Sequence, residues 1–321
     1  MNWGDYELSM EFRKLAEGEV FFKNPCVPVS VETAGNIVKV QYMSKRNTKA
    51  TIRMLPGMKE YIELSTGEIK KCQQHETRAD QIKSLRRTFE TVRGIINANV
   101  VEPSFCKWIT LTYSENMTDT VRLKTDFNKF DKRFQYYCKN QGYPKAEYIT
   151  MVEPQGRGAW HHHLLYIFPC KAPYISNSEL CDLWGHGFTK TKKLDNVDNV
   201  GAYLTAYLGD IEINNDTSSV LVDLHMDNVE IVEKDIISDD GIKQKKAFVK
   251  GARLPLYPVN FNMFRCSRGV KRPVIELVSQ EMAKEKVSNA TLTYSKTVEL
   301  KDTDNDFTSI IHTEFYNLKR H

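Results

Sequence analysis

The spacing of apolar and polar positions changes period several times along the 321-residue chain. Residues 1–25 form a short amphipathic opening. From Cys26 to about Lys71 the alternation is two-fold: VPVSVET, NIVKVQYM, TIRML and EYIELSTGEIKK are β-type runs broken by polar turns. From Arg78 to Ala98 the period lengthens. Ile82, Leu85, Phe89, Val92 and Ile96 fall at steps of three and four, which predicts a helix with Arg78, Lys83, Arg86, Arg87 and Arg93 on its solvated face. Lys107–Tyr113 (KWITLTY) predicts a strand. Val121–Lys139 predicts a helix whose stripe of Leu123, Phe127, Phe130, Phe134 and Tyr137 faces a core.

Tyr148–Glu153 and Trp160–Phe168 are strand-length apolar runs on either side of Pro154, Gly156 and Gly158, the pattern of a β-hairpin. Asn177–Leu183 predicts a short helix closed by Trp184-Gly185-His186-Gly187, followed by a basic strand or loop at Phe188–Lys193. In Asp195–Asp210, Asn196 and Asp198 are N-cap candidates and Gly209 is a stop. Val197, Val200, Tyr203, Leu204, Tyr207 and Leu208 between them follow a helical repeat. The polar stretch DIEINNDTSS then marks a boundary or long loop. Val220–Val232 returns to β-type alternation, Val232–Lys246 is strongly charged, and Ile275–Lys286 predicts a helix. The last thirty-five residues are polar and expected to pack loosely. Three segments result: a mostly β region (1–77), a middle segment (78–215) and a C-terminal extension (216–321).

Composition narrows the classes. The net charge of +4 permits nucleic-acid binding without arguing for it. Seven scattered cysteines contain no CxxC pair, so neither a zinc knuckle nor a disulfide framework is suggested, and scattered thiols fit a reducing cytoplasm. The opening MNWGDYELSMEFRK has no apolar signal core, and no run of about eighteen apolar residues exists to span a membrane. No GxxxxGK[ST] phosphate loop is present, so an ATP-driven step needs another protein.

The candidate chemistry lies in the hairpin. On a strand, His161 and His163 share one face with Leu165 and Ile167, while His162 points the other way with Trp160 and Leu164. One histidine in a strand is commonly a satisfied core or surface residue. Three in a row are harder to place, because an unpaired buried imidazole costs free energy. His161 and His163 can reach one divalent ion, with Glu153 as a carboxylate third ligand, a set that suits Mn²⁺, Mg²⁺ or Zn²⁺. About forty residues on, Tyr203 and Tyr207 stand one helical turn apart. Taken alone, that spacing reads more simply as two core tyrosines. Beside a metal, a second use appears. A tyrosine hydroxyl, whose pKa is about 10, can attack a phosphodiester whose charge is drawn off by a cation, giving a phosphotyrosine and a free 3′-hydroxyl. Residues 247–272 interleave Arg253, Arg265, Arg268, Lys271 and Arg272 with Tyr257, Phe261 and Phe264, a texture that can hold a phosphate backbone and stack bases.

WITLTY, EPQGRGAWHHHLLYIF, LWGHGF and YLTAYLGD, in that order, resemble the HUH endonuclease superfamily, and more narrowly the rolling-circle replication initiators of the filamentous-phage gene-II type. The family's first motif matches Ile109–Tyr113. Its His-any-His metal motif matches His161 and His163, with Glu153 at the place of the carboxylate that precedes them. Its Tyr-xxx-Tyr motif matches Tyr203 and Tyr207. The likeness covers about 80–215 and extends more loosely through Tyr257–Pro273, with its Ser-Arg-Gly. Two positions depart from the pattern: a lysine near the tyrosines is replaced by Ala206 and Asp210, and the middle metal-motif residue is His162 rather than apolar.

The resemblance implies an α+β fold, a central antiparallel β-sheet flanked by helices, with residues 1–77 and the extension outside it. It implies a nicking-joining endonuclease that uses Mg²⁺ or Mn²⁺ on single-stranded origin DNA, with a host helicase and DNA polymerase as partners. Arg157, Lys190, Lys192 and Lys193 are candidate phosphate contacts in place of the missing lysine, and Arg253, Tyr257, Arg265 and Arg268 are candidate DNA contacts in the extension. A relaxase or transposase with the same chemistry, an initiator that binds without cutting, and a hydrolase using metal-activated water are the competing readings.

Overall fold

The computed structural model describes residues 10–14, 28–46, 52–57, 59–72, 82–155, 158–192, 194, 199–201, 204–205, 211–212, 231–237, 243–249, 254–302 and 307–319. In chain order the strands are β1 (Met10–Lys14), β2 (Val29–Ala34), β3 (Ile37–Met43), β4 (Ile52–Met54), β5 (Glu60–Glu63), β6 (Ile69–Lys71), β7 (Cys106–Tyr113), β8 (Glu147–Pro154), β9 (Trp160–Ile167), β10 (Gly187–Lys192), β11 (Ile211–Glu212), β12 (Ile231–Ile237), β13 (Lys243–Val249), β14 (Phe264–Cys266), β15 (Val274–Val278), β16 (Thr291–Asp302) and β17 (Phe307–Asn317). The helices are α1 (Ile82–Asn99), α2 (Thr120–Asn140), α3 (Asn177–Trp184) and α4 (Gln280–Lys286). The fold is α+β, as the sequence implied, and its sheets are antiparallel.

The chain divides into two compact units. One joins residues 1–74 to residues 272–321; the other is 75–271. The three consecutive segments expected from sequence are therefore replaced by an interrupted unit and a continuous one. The interrupted unit has a six-stranded sheet, β1-β16-β17-β3-β2-β15, and a three-stranded sheet, β4-β5-β6. Two-fold alternation explains β2 and β3. Val29, Val31, Val38 and Val40 are buried with Val278 and with Ala283 of α4, while Ser30, Glu32, Lys39 and Gln41 are only partly covered.

Two expectations about the C-terminal extension are corrected here. The helix read over Ile275–Lys286 is a strand and then a helix. Val-Ile-Glu-Leu-Val is β-branched and pairs with β2, and the Ser279 side chain accepts the Met282 amide to start α4. The loosely packed tail is a long hairpin, β16–β17, with β17 at the centre of the sheet against β3.

In the continuous unit a five-stranded sheet runs β10-β7-β9-β8-β14, and a three-stranded sheet runs β11-β13-β12. The hairpin read from sequence is present: β8 pairs β9 from Glu147↔Ile167 to Pro154↔Trp160. The aromatic stripe of α2 covers one face of this sheet. Phe127 and Phe134 stack on His162 and Tyr166, and Leu123, Phe127, Phe130 and Phe134 are buried. Trp184, at the end of α3, packs edge-on against Phe130 and His162 on that same face.

The segment after Phe261 joins this unit through β14, which pairs β8. The Ser-Arg-Gly sequence acts as a clip. The Ser267 hydroxyl receives the Tyr148 amide at 2.8 Å, and the Gly269 amide donates to Glu147 Oε2 at 3.1 Å. A Cβ at Gly269 would lie 2.5 Å from that carboxylate, so any larger residue would push the Glu147 side chain off this amide. Among the described residues no helix is long and apolar enough to cross a membrane.

Candidate metal centre and tyrosine helix

Residues opposite one another in an antiparallel pair carry their side chains on one face. The register places Glu153 and Thr112 beside His161, and Met151 and Thr110 beside His163. His161, His163, Glu153, Thr110 and Thr112 thus share the face opposite α2. His162 takes the other face, as strand parity predicts. The central position of β9 fixes this arrangement, because a one-residue slip would send every side chain of the strand to the wrong side.

On the histidine face, His163 Nε2 and Glu153 Oε1 are 3.0 Å apart, with both side chains nearly buried. The Thr110 hydroxyl lies 3.4 Å from the other ring nitrogen, Nδ1, and the Trp108 ring meets the imidazole edge-on at 6.1 Å. A hydroxyl at Nδ1 and a carboxylate at Nε2 fix the orientation of the ring. The 3.0 Å separation is that of a hydrogen-bonded imidazole–carboxylate pair. In this side-chain arrangement His161 does not complete a triad: among the described residues no three His, Cys, Asp or Glu side chains converge as a metal-holding group. The donor set, two imidazoles and a carboxylate on one sheet face, fits a divalent cation chemically.

His162 is a core residue. It is 2 % exposed, stacks on Phe127 and has Thr150 Oγ1 at 3.2 Å from Nδ1. Burial drives its pKa from 6.5 down to about 3, only partly offset by a hydrogen bond to the Leu123 backbone. The departure from an apolar residue is thereby explained: a neutral imidazole packs here as an aromatic ring.

Of the stretch that the sequence reads as the tyrosine helix, Val200, Gly201, Leu204 and Thr205 are described, and they are helical and buried. Asn97, in the last turns of α1, fixes its start. The Asn97 side chain donates to Asn199 Oδ1 at 3.1 Å and accepts the Gly201 amide at 2.8 Å. A Cβ on Gly201 would fall 2.5 Å from the Arg93 carbonyl oxygen, so α1 and this helix approach as closely as backbones allow. Val200 and Leu204 join the core that holds Val92, Ile95 and Ile96 of α1 together with Trp108, Ile149 and Leu165 from the histidine face. Tyr203, Tyr207, Arg157, Lys193 and Arg253 lie outside the described residues.

The remaining predicted site residues separate. Lys190 is paired with Thr110 and Lys192 with Trp108, so both lie on the histidine face. Arg265 is paired with Thr150 and lies on the α2 face, its guanidinium over the Phe127 ring and donating to Asn128. Arg268 is exposed in the turn after β14. Tyr257 is a correction: it is 1 % exposed, its hydroxyl donates to the Val152 carbonyl at 3.0 Å, and its ring packs near Trp160 and Phe261. A ring so enclosed is core and offers no surface to a base.

Sequence reasoning passed over two features. Asn97 carries no motif, and its role appears only when α1 and the tyrosine helix meet. Asp126 is buried under the Trp-Gly-His-Gly turn, with Tyr113 OH at 3.4 Å, Arg122 Nε at 3.2 Å and His186 Nε2 at 3.6 Å. An acid at a core-facing position of α2 was the only signal.

Residues 106–212 match the family model of the replication-associated protein ORF2/gene-II protein, about a third of the chain. The likeness to gene-II-type rolling-circle replication proteins, inferred from four short motifs, is shown over that segment, and the HUH superfamily is consistent with it. No curated protein and no solved structure matches the chain.

Proposed function

We propose that this replication-associated chain initiates rolling-circle replication by nicking single-stranded DNA at an origin and later rejoining it. One observation carries the reading. Within the segment similar to the ORF2/gene-II family, two histidines and a glutamate share one face of a central strand pair, followed in the same segment by Tyr203 and Tyr207. His161, His163 and Glu153 would hold Mg²⁺ or Mn²⁺. When bound, such an ion draws charge from the scissile phosphate.

The protein's own groups do the rest. Lys190 and Lys192, on the same sheet face, lie where a phosphate backbone would pass. The hydroxyl oxygen of Tyr203 or Tyr207 attacks phosphorus and the bond to the 3′ oxygen breaks. The proton lost by tyrosine is balanced by the one that oxygen gains, leaving a 5′-phosphotyrosine and a 3′-hydroxyl. That hydroxyl primes a host polymerase while a host helicase opens the duplex. Attack of a 3′-hydroxyl on the phosphotyrosine reverses the step. The phosphodiester's free energy is conserved throughout, in keeping with a sequence that has no phosphate loop.

Denaturing electrophoresis of protein mixed with Mn²⁺ and labelled single strands of the cognate replicon tests the reading. The expected result is a covalent adduct that disappears with EDTA and in the Tyr203→Phe/Tyr207→Phe double variant. Cleavage without an adduct would assign the attack to water. Tight binding without cleavage would make the chain an initiator that does not cut. A relaxase or transposase would form the adduct on transfer or element-end sequences instead.

A further inference from the structure

We propose that Phe188 is a stacking platform for one base of the DNA strand, next to the phosphate that is cut; the inference rests on the nickase reading above. Strand β10 is the edge of the five-stranded sheet. The register carries one row of side chains across a single face: Phe188 beside Thr112, Thr112 beside His161, His161 beside Glu153. Two strand spacings, about 10 Å, separate Phe188 from His161.

The neighbours of Phe188 in β10 fix its direction. Thr189 and Thr191 hydroxyls donate to the backbone oxygen and side-chain oxygen of Asn177, so they turn toward α3 on the opposite face. Phe188 and Lys190 therefore turn to the histidines. Gly187 holds the register from the other end: its φ is 149°, and a Cβ there would lie 2.4 Å from the Thr112 carbonyl oxygen, so β10 begins pressed against β7.

Deeper on the same face Trp108 and Leu165 are 3 % and 0 % exposed, whereas Phe188 is 68 % exposed. Its ring is held on a rigid strand, in water, in line with the candidate metal ligands. Lys190 sits one row along, beside Thr110 and His163. An aromatic ring that offers its face to a base, and a cation beside it for the backbone, is the combination by which proteins hold single strands.

The test begins with the wild-type protein, Mn²⁺ and a pool of random-sequence single strands. Strands captured covalently give the cut sequence. Binding of that strand is then measured by fluorescence anisotropy in EDTA. Phe188→Ala and Phe188→Leu should weaken binding roughly ten-fold, and Phe188→Trp should retain it. An abasic scan should find one position near the cut where losing the base costs the wild type the same factor and costs Phe188→Ala nothing. Equal binding by wild type, Phe188→Ala and Phe188→Leu, or identical abasic penalties in both proteins, would overturn the proposal. If no strand is captured, the nickase reading fails by itself. A titration with labelled oligothymidylate then decides the stacking role on the same criterion, a ten-fold loss in Phe188→Ala or none.

Discussion

The imidazole of His162 lies flat on the ring of Phe127, with centroids 5.1 Å apart and planes 25° apart. The middle of the three histidines is therefore spent on joining β9 to α2, and its neighbours on either side are left for chemistry. His162→Ala should cost about 2–4 kcal/mol of stability, the range for truncating a large buried side chain. Chemical denaturation of the variant measures the loss, and adduct yield per folded molecule should stay close to that of the wild type.

The opposite pattern is expected across the strand pair. His161→Ala, His163→Ala and Glu153→Gln should lower cleavage per folded molecule at least ~100-fold, as loss of several kcal/mol of charge stabilisation requires, and the two that break the nearly buried His163–Glu153 pair should also cost about 1–3 kcal/mol of stability. Calorimetric titration with Mn²⁺ separates this from misfolding: heat of binding should vanish while the circular dichroism spectrum persists. Thr110→Val, which removes the hydroxyl 3.4 Å from His163 Nδ1, should weaken Mn²⁺ binding by about 10- to 100-fold.

Asn97 touches neither the histidines nor Glu153 in any described hydrogen bond, yet it sets where the tyrosine helix begins. Asn97→Ala leaves the buried Gly201 amide without its acceptor and should cost about 1–3 kcal/mol. Gly201→Ala forces apart two backbones in contact and should cost a similar ~1–3 kcal/mol. Asn97→Asp keeps the acceptor for Gly201 and loses the donor to Asn199. The prediction is that adduct yield falls in the order wild type, Asn97→Asp, Asn97→Ala while Mn²⁺ binding stays constant. Parallel loss of Mn²⁺ binding would assign Asn97 to general stability.

Glu147 supplies a pH dependence. The Ser267 hydroxyl first, then the Gly269 amide and Lys145, hold its carboxyl below the ordinary 4.5. Its folded pKa is depressed, so its contribution to stability is complete above the unfolded value and is lost as pH falls through the folded one. Wild type should therefore exceed Glu147→Gln in stability at neutral pH, and the gap should close as pH drops below about 4.5. Denaturation of both proteins across that range, in EDTA, checks it. A gap independent of pH would mean that the amide clips Ser267-Arg268-Gly269 as well as the carboxylate does.

Local features of the chain were legible because their physics is local. The Trp160–Phe168 alternation, the Pro and Gly turn before it and the aromatic stripe of α2 each act within a few residues, and they settled which face carries His161 and His163. Pairings between distant segments left no such trace. Gln41 Nε2 donates to Thr313 Oγ1 across 272 positions, and nothing near either residue announces the other. Strand β16 is rich in Thr, Lys and Glu, so its alternation reads as a solvated tail until its neighbours are known. Val274–Val278 misled for a related reason: three of its apolar residues are exposed, so its hydrophobicity did not mark a buried face. Tyr257 looked like a base-stacking residue because aromatic-basic texture is the same in a core margin and in a binding groove.

The sheet built from β2, β3, β15 and β17 has a consequence for how the protein is made. Its first strands leave the ribosome early, and the neighbours that cover both of their edges come from residues 274–317. At about 5–20 residues per second, that wait is on the order of tens of seconds, during which β2 and β3 present open edges to any other extended chain. The continuous unit, 75–271, is synthesised entirely within the interval. A message cut short after that unit would leave the β2–β3 hairpin without β15 and β17, both of its outer edges open.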